Sequence, residues 1–141
     1  VPDVAGLGME AFREREEEFE LRMVEFTTLD GQPAGRGMLC ECSTDRAYIA
    51  RWGQSRFEEL YTALGLRTIW SWPRDSGLLP CAAYLRHCTL AAERLGPDAL
   101  ASFLDETLLC DRVTSVRAHL EQRPEVMSTL PPESLRERYS G

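Results

Sequence analysis

The stretch MEAFREREEEFEL, residues 9–21, interleaves glutamates and arginines with apolar residues near the start of the chain. Met9 and Phe12 recur at helical spacing, which predicts a helix over residues 3–16. From Phe19 to Leu29 the sequence becomes rich in Phe, Val and Thr, which predicts a strand. The stretch therefore contains a helix-to-strand junction, and its carboxylates form either a solvated face or a site where one of them does chemistry.

Helical periodicity distinguishes these carboxylates from one another. On a helix that turns about 100° per residue, Glu16 lies four residues after Phe12 and seven after Met9, so it shares their face. Glu14 points in roughly the opposite direction. We therefore expect Glu16 to face inward and Glu14 to face water.

The rest of the first half predicts a hairpin, a third strand and a helix. The segment DGQPAGRG, residues 30–37, has the composition of a turn, and MLCEC and RAYIARW follow it as two strands. The segment SRFEELYTALG carries a capping box, Ser55 to Glu58, and ends at Gly65. These features predict a helix over residues 55–65.

The second half predicts helices only. Pro80 opens a helix that runs to Leu95, and shorter helices are expected over residues 98–106, 114–122 and 132–139. The buried stripe of the first of these is expected to comprise Tyr84, Leu85, Cys88, Ala92 and Leu95. Strands in the first half and helices in the second predict an α+β fold.

Composition excludes several classes of protein. A chain of 141 residues has the length of about one domain, and no apolar run approaches the roughly 20 residues of a membrane span. The net charge is −7, and all 16 basic residues are arginines interleaved with acids. Since phosphate binding needs clustered basic residues, we expect no nucleic-acid partner and no membrane span.

The cysteines predict a reducing compartment, either the cytoplasm or an organellar stroma or matrix. The chain has five, at positions 40, 42, 81, 88 and 110. An odd number does not suit a disulfide framework. Cys81 and Cys88 lie about 10 Å apart along one predicted helix, and Cys40 and Cys42 alternate on a predicted strand, so neither pair chelates a metal. We expect five free thiols and no bound metal.

Conventional catalytic motifs are missing. There is no Gly-x-Ser-x-Gly elbow, and neither His87 nor His119 lies in a motif. Each histidine is expected at the surface or as a satisfied, partly buried residue. The remaining candidate chemistry combines a carboxylate with tyrosines.

Three segments, in this order, resemble the gamma-glutamylcyclotransferases, a family that includes ChaC-type relatives. The first is MEAFREREEEF, the second is RAYIA, and the third is PCAAYLRHCTLAAERLG, which resembles the family's Pro-Ser-x-x-Tyr helix. The matching residues are Met9, Phe12, Glu16, Phe19, Tyr48, Pro80, Tyr84, Ala92 and Gly96. The resemblance covers residues 9–96.

The resemblance implies both a fold and an activity. The fold would be a small β-barrel or sheet packed with helices, with a core over residues 1–110 and a helical extension over residues 111–141. The activity would be cleavage of gamma-glutamyl compounds, glutathione among them, to 5-oxoproline. Glu16 would be the general acid and base, Tyr48 and Tyr84 would bind substrate, and no metal or organic cofactor would be needed.

A second function stays open. The family's N-terminal Tyr-Gly-Ser loop has no counterpart in residues 1–141, so we expect a chain that lacks the N-terminal strands. A partner polypeptide would then complete the sheet. The alternative function is a cyclotransferase-like interaction or scaffold module without catalysis, with the loop at Trp70 and Trp72 either at its contact surface or in the core.

Overall fold

The computed structural model of the protein describes residues 8–28 and 30–139. The chain divides into two compact units, residues 1–71 and 72–141. The division falls after Ser71, whereas the resemblance placed a boundary after residue 110. Helices are combined with an antiparallel hairpin, so the predicted α+β class is confirmed.

The first unit begins with a short helix and a β-hairpin. Helix α1 spans Gly8–Arg15, strand β1 spans Glu20–Thr27 and strand β2 spans Pro33–Glu41. The predicted helix over residues 3–16 is confirmed for α1, and residues 3–7 lie outside the described part. The turn is shorter than predicted, because β2 begins at Pro33, a strand position where the missing proline N–H costs little.

Phe26 covers a glycine-rich part of the hairpin. Its position in β1 is opposite Gly35 in β2, and a Cβ built at Gly37 would meet the Phe26 ring at 3.4 Å. Gly35 has a φ of +119°, a conformation that other residues rarely adopt. The Phe26 ring therefore packs over the backbone of both glycines, and the positive φ at Gly35 is the feature that favours glycine there.

The third predicted strand is wrong, because RAYIARW belongs to a helix. Helix α2 spans Asp45–Trp52, and the hydroxyl oxygen of Thr44 caps it by accepting a hydrogen bond from Ala47 N–H at 3.1 Å. Tyr48 is buried and Trp52, four residues later, is half-buried on the same side of the helix. A cap and an i, i+4 apolar pair outweighed the β-propensity of the segment.

The rest of the first unit is helical. Helix α3 spans Gln54–Leu60 and is followed by a 3₁₀ turn, Thr62–Leu64. The predicted capping box is wrong, since α3 begins before Ser55 and no side chain caps it. Gly65 ends the segment in the left-handed conformation, as predicted.

The second unit is built from four helices and two 3₁₀ segments among its described residues. Their bounds are α4 Ala82–Leu95, α5 Pro97–Glu106, α6 Val116–Gln122 and α7 Arg136–Tyr139, with 3₁₀ segments at Pro124–Ser128 and Glu133–Leu135. All four predicted helices of the second half are present, with ends shifted by a few residues. The core of this unit is the cluster of Leu85, Val116 and Val126.

The predicted buried stripe of α4 is partly wrong. Leu85, Thr89 and Ala92 are buried, whereas Tyr84 and Leu95 are exposed. The buried residues follow i, i+4 and i+7; Tyr84 precedes Leu85 by one residue and so points about 100° away from that line, and Leu95 is the last residue of α4. In the described residues, no helix is long and apolar enough to span a bilayer.

We expect Thr44→Ala to destabilise the first unit, because it removes the side-chain acceptor at the start of α2. The free energy of unfolding of this unit should fall by about 1 kcal/mol. Urea titration followed by far-ultraviolet circular dichroism measures it. Thr62→Ala is the control, since no side-chain cap is made at the start of the Thr62–Leu64 segment. Equal losses in the two variants would contradict the capping role.

Candidate functional site

The four residues that join α1 to β1, numbered 16–19, form the polar centre of the first unit. Side chains from α2 and α3 reach this junction and bond both its carboxylates and its backbone carbonyls. The glutamates of the opening stretch are therefore not a uniform solvated face. Each has a different environment.

Glu17 is the buried carboxylate of the junction. It is 6% exposed and accepts hydrogen bonds from the Tyr48 hydroxyl at 2.8 Å and from Arg56 Nη2 at 2.7 Å. Arg56 Nε adds a second bond, at 3.0 Å to the same Glu17 oxygen, Oε2. Both Glu17 oxygens are thus occupied, which makes this residue a structural anchor.

The partners of Glu17 respond to its charge. Burial raises the pKa of Tyr48, and the hydrogen bond to Glu17 raises it further. The hydrogen bond to Glu17 likewise raises the pKa of Arg56. Tyr48 therefore keeps its proton, and its hydroxyl donates to the carboxylate.

Glu18 forms a second anchor beside the first. The Tyr61 hydroxyl donates to Glu18 Oε1 at 2.5 Å, and burial together with this bond raises the pKa of Tyr61 above its usual range. The Tyr48 and Tyr61 rings meet edge-on, with centroids 5.4 Å apart. Aromatic packing and hydrogen bonding thus hold the same residues in place.

Two indoles hold the backbone of the junction. Trp52 Nε1 donates to the Glu17 carbonyl at 3.0 Å, and Trp70 Nε1 donates to the Glu18 carbonyl at 3.1 Å. Trp70 also packs edge-on against Phe19, with centroids 5.2 Å apart. Trp70 is therefore half-buried against the junction, and it is not one of the fully buried core residues.

Glu16 lines a cavity of about 330 Å³, which we call the Glu16 cavity. The other lining residues are Arg13, Phe19, Glu20, Leu21, Arg51 and Trp52. Glu16 is half-buried and accepts one hydrogen bond at 3.3 Å from Arg15 Nε. Its expected inward orientation and the exposure of Glu14 agree with the structure, whereas Met9 is more exposed than predicted.

Arg51 is fixed at the wall of the Glu16 cavity. Its Nη1 donates to the Phe19 carbonyl at 2.9 Å, and its Nη2 pairs with Glu20. Ser43 Oγ donates to the same Glu20 oxygen at 3.0 Å. The Arg51 guanidinium is therefore bonded to two groups of the chain beside the cavity.

The three residues that were predicted to form the site belong to two different units. Glu16 and Tyr48 lie in the first unit, where Tyr48 is 1% exposed and its hydroxyl is directed at Glu17. Tyr84 lies in α4 of the second unit, where it is exposed and its ring packs against Tyr139. Of the three, Glu16 alone lines the Glu16 cavity.

The sequence analysis did not predict the side chains that contact the junction from α2 and α3. Arg51, Trp52 and Arg56 contact it, and Glu17 was assigned no role. The available signal was the spacing of Tyr48, Arg51 and Trp52, which places the three on one helical face. On the strand that the sequence predicts for this segment, the same spacing does not place the three side chains on one face.

The cysteines and histidines form no metal cluster. Within residues 8–28 and 30–139, no group of three metal-binding side chains occurs. The five cysteines are free thiols. His119 is buried in α6, and His87 is half-buried in α4 with its ring against Tyr84 and Tyr139.

Comparisons with protein families, with curated proteins and with solved structures find no match to this chain.

Glu17→Gln should destabilise the first unit, because an amide cannot accept both bonds from Arg56 with the strength of a carboxylate. We expect a loss of about 2 kcal/mol in the free energy of unfolding, less than for a fully buried ion pair because Arg56 is half exposed. Glu14→Gln changes an exposed glutamate of the same stretch and should cost under about 0.5 kcal/mol. Urea denaturation measures both, and equal effects would contradict the anchor role.

Thiol reactivity should follow exposure in the native protein. Cys42 and Cys81 are exposed, whereas burial raises the pKa of Cys40 and of Cys88. We expect iodoacetamide to label Cys42 and Cys81 first, as measured by peptide mass mapping. All five thiols should react in denatured protein that has not been reduced. Fewer than five would show a disulfide or another modification and would contradict the prediction.

Proposed function

We propose that the Glu16 cavity binds a gamma-glutamyl compound and that the first unit carries out gamma-glutamylcyclotransferase-like chemistry. The observation that carries this proposal is the position of Glu16. Helical spacing and family resemblance selected the same residue, and it lines a cavity of about 330 Å³. That volume is at the lower end of the roughly 300–1,000 Å³ of small-molecule sites.

The charged side chains of the cavity wall suit a substrate that carries both a positive and a negative group. Two carboxylates, Glu16 and Glu20, and two guanidiniums, Arg13 and Arg51, line the cavity. A gamma-glutamyl compound presents an alpha-ammonium and an alpha-carboxylate close together. Arg13 would pair with the substrate carboxylate, whereas Arg51 is already paired with Glu20 and would keep that part of the wall in place.

In the proposed reaction the substrate's alpha-amine attacks its own gamma-carbonyl carbon. A C–N bond closes the five-membered ring, the original amide C–N bond breaks, and 5-oxoproline and an amine leave. An alpha-amine with a pKa near ~8 is mostly protonated at neutral pH, so a base must remove its proton. Glu16 would accept that proton and return one to the leaving nitrogen.

The anchors beside Glu16 fit a positioning role in this proposal. The nucleophile belongs to the substrate, so much of the catalytic demand is to hold the substrate folded beside a fixed base. Tyr48 and Arg56 bond Glu17, the neighbour of Glu16, and thereby restrict the backbone that carries the base. Tyr48 would act through Glu17, and the substrate contact predicted for Tyr84 stays a prediction of the resemblance.

A non-catalytic interaction module is the second candidate, and the hairpin favours it. Met23, Phe26, Met38 and Leu39 are each between 42% and 52% exposed on a sheet that has two strands within the described residues. Exposed apolar strands with unpaired edges are suited to pairing with another chain. In this alternative, a partner polypeptide would complete a cyclotransferase-like sheet.

Glu16→Gln should abolish most of the proposed activity, because the amide keeps the shape of the side chain and removes the base. We expect the rate of 5-oxoproline release from glutathione and from gamma-glutamyl dipeptides to fall by about 10²–10⁴-fold. Chromatographic measurement of 5-oxoproline gives the rate, and circular dichroism checks that the fold is retained.

Glu14→Gln is the matched control and should leave the rate nearly unchanged, since Glu14 faces water. Normal release by Glu16→Gln would remove Glu16 from the mechanism. No release by the unmodified chain from any of these compounds would contradict the enzymatic proposal and favour the interaction module.

A further inference from the structure

The second unit contains a cavity of about 360 Å³ that the proposed function does not use. We call it the apolar cavity. Among its lining residues are Leu79, Leu85, Cys88, Phe103, Leu108 and Val116. All of them belong to residues 72–141, so the cavity is formed within this unit alone.

The floor of the apolar cavity is the hydrophobic core of the unit. Leu85 and Val116 are buried members of that core, and Phe103 and Leu109 pack against it. Core side chains are held in close-packed positions. The floor is therefore preformed and needs no rearrangement to receive a ligand.

The rim of the apolar cavity exposes leucines to water. Leu78, Leu79 and Leu108 line it and are between 45% and 51% exposed. Removing such surface from water is favourable. A ligand that enters the cavity would cover these side chains and contact the floor at the same time.

No charged side chain is found among the described residues that line the apolar cavity. Thr107 and Tyr84 contribute hydroxyl-bearing side chains, and Cys88 and Cys110 contribute thiols. Burial raises the pKa of the Cys88 thiol, so it stays protonated at neutral pH. A charged ligand group would lose its hydration here without gaining a counter-charge, which is costly.

We propose that the apolar cavity is a binding site for an uncharged small molecule with an apolar body. Size limits the class, since an apolar cavity of about 150 Å³ holds a benzene ring. A cavity of about 360 Å³ has room for two fused rings or an aliphatic chain of medium length. This site does not depend on the chemistry proposed for Glu16.

The test uses N-phenylnaphthylamine, an uncharged two-ring fluorophore whose emission rises in apolar surroundings. We expect saturable binding with one site per chain, displaced by decanol and only weakly by decanoate. Leu79→Asp and Leu108→Asp each place a charge at the exposed rim and should weaken binding about tenfold or more. Leu95→Asp is the matched control, because Leu95 is exposed in the same unit and does not line the cavity.

A second readout locates the ligand. Decanol should slow alkylation of Cys88, which lines the cavity, and leave exposed Cys81 unaffected. The proposed site would be contradicted by any of three results: probe binding that does not saturate, an equal loss of binding in Leu95→Asp, or equal protection of Cys88 and Cys81. Equal displacement by decanoate and decanol would overturn the ligand class. Concentration-dependent dimerisation that excludes the probe would show that a second copy of the chain, not a small molecule, covers the cavity.

Discussion

The hydrogen bonds from Tyr48 and Arg56 to the Glu17 carboxylate connect three parts of the first unit. Glu17 lies at the junction of α1 and β1, Tyr48 lies in α2 and Arg56 lies in α3. A buried carboxylate is costly unless its oxygens are satisfied, so the helices must lie where these donors reach it. Because consecutive residues point in different directions, fixing Glu17 inward also fixes the directions of Glu16 and Glu18.

The helices of the second half and the hairpin could be predicted from local sequence patterns. The secondary-structure predictions that were wrong concern segments whose conformation depends on tertiary contacts. Gly65 and the α4 helix could be predicted because backbone conformation and apolar periodicity depend on nearby residues. The segment containing Tyr48 could not, because its β-branched and aromatic residues suit a strand as well as a helix. Its helical state depends on the Thr44 cap and on the fit of Tyr48 against Glu17.

The part of the candidate site that could be predicted is the position of Glu16, because it depends on a single helix. The direction of Glu16 follows from the three or four residues before it, and the structure places it at a cavity wall. The contributions of Arg51 and Trp52 depend on how α2 packs against the junction, which sequence spacing does not define. The grouping of Glu16 with Tyr84 depends on distant segments that belong to separate units, and it stays a prediction.

The indole hydrogen bonds of the junction also affect how the protein can be observed. Trp52 and Trp70 donate to adjacent carbonyls, those of Glu17 and Glu18, while Trp72 belongs to the other unit. Indole emission is sensitive to polarity and to hydrogen bonding at the ring nitrogen. Two of the three tryptophans are therefore placed to report on the segment that carries Glu16, and a change in their emission is the signal expected if the proposed substrate enters the Glu16 cavity.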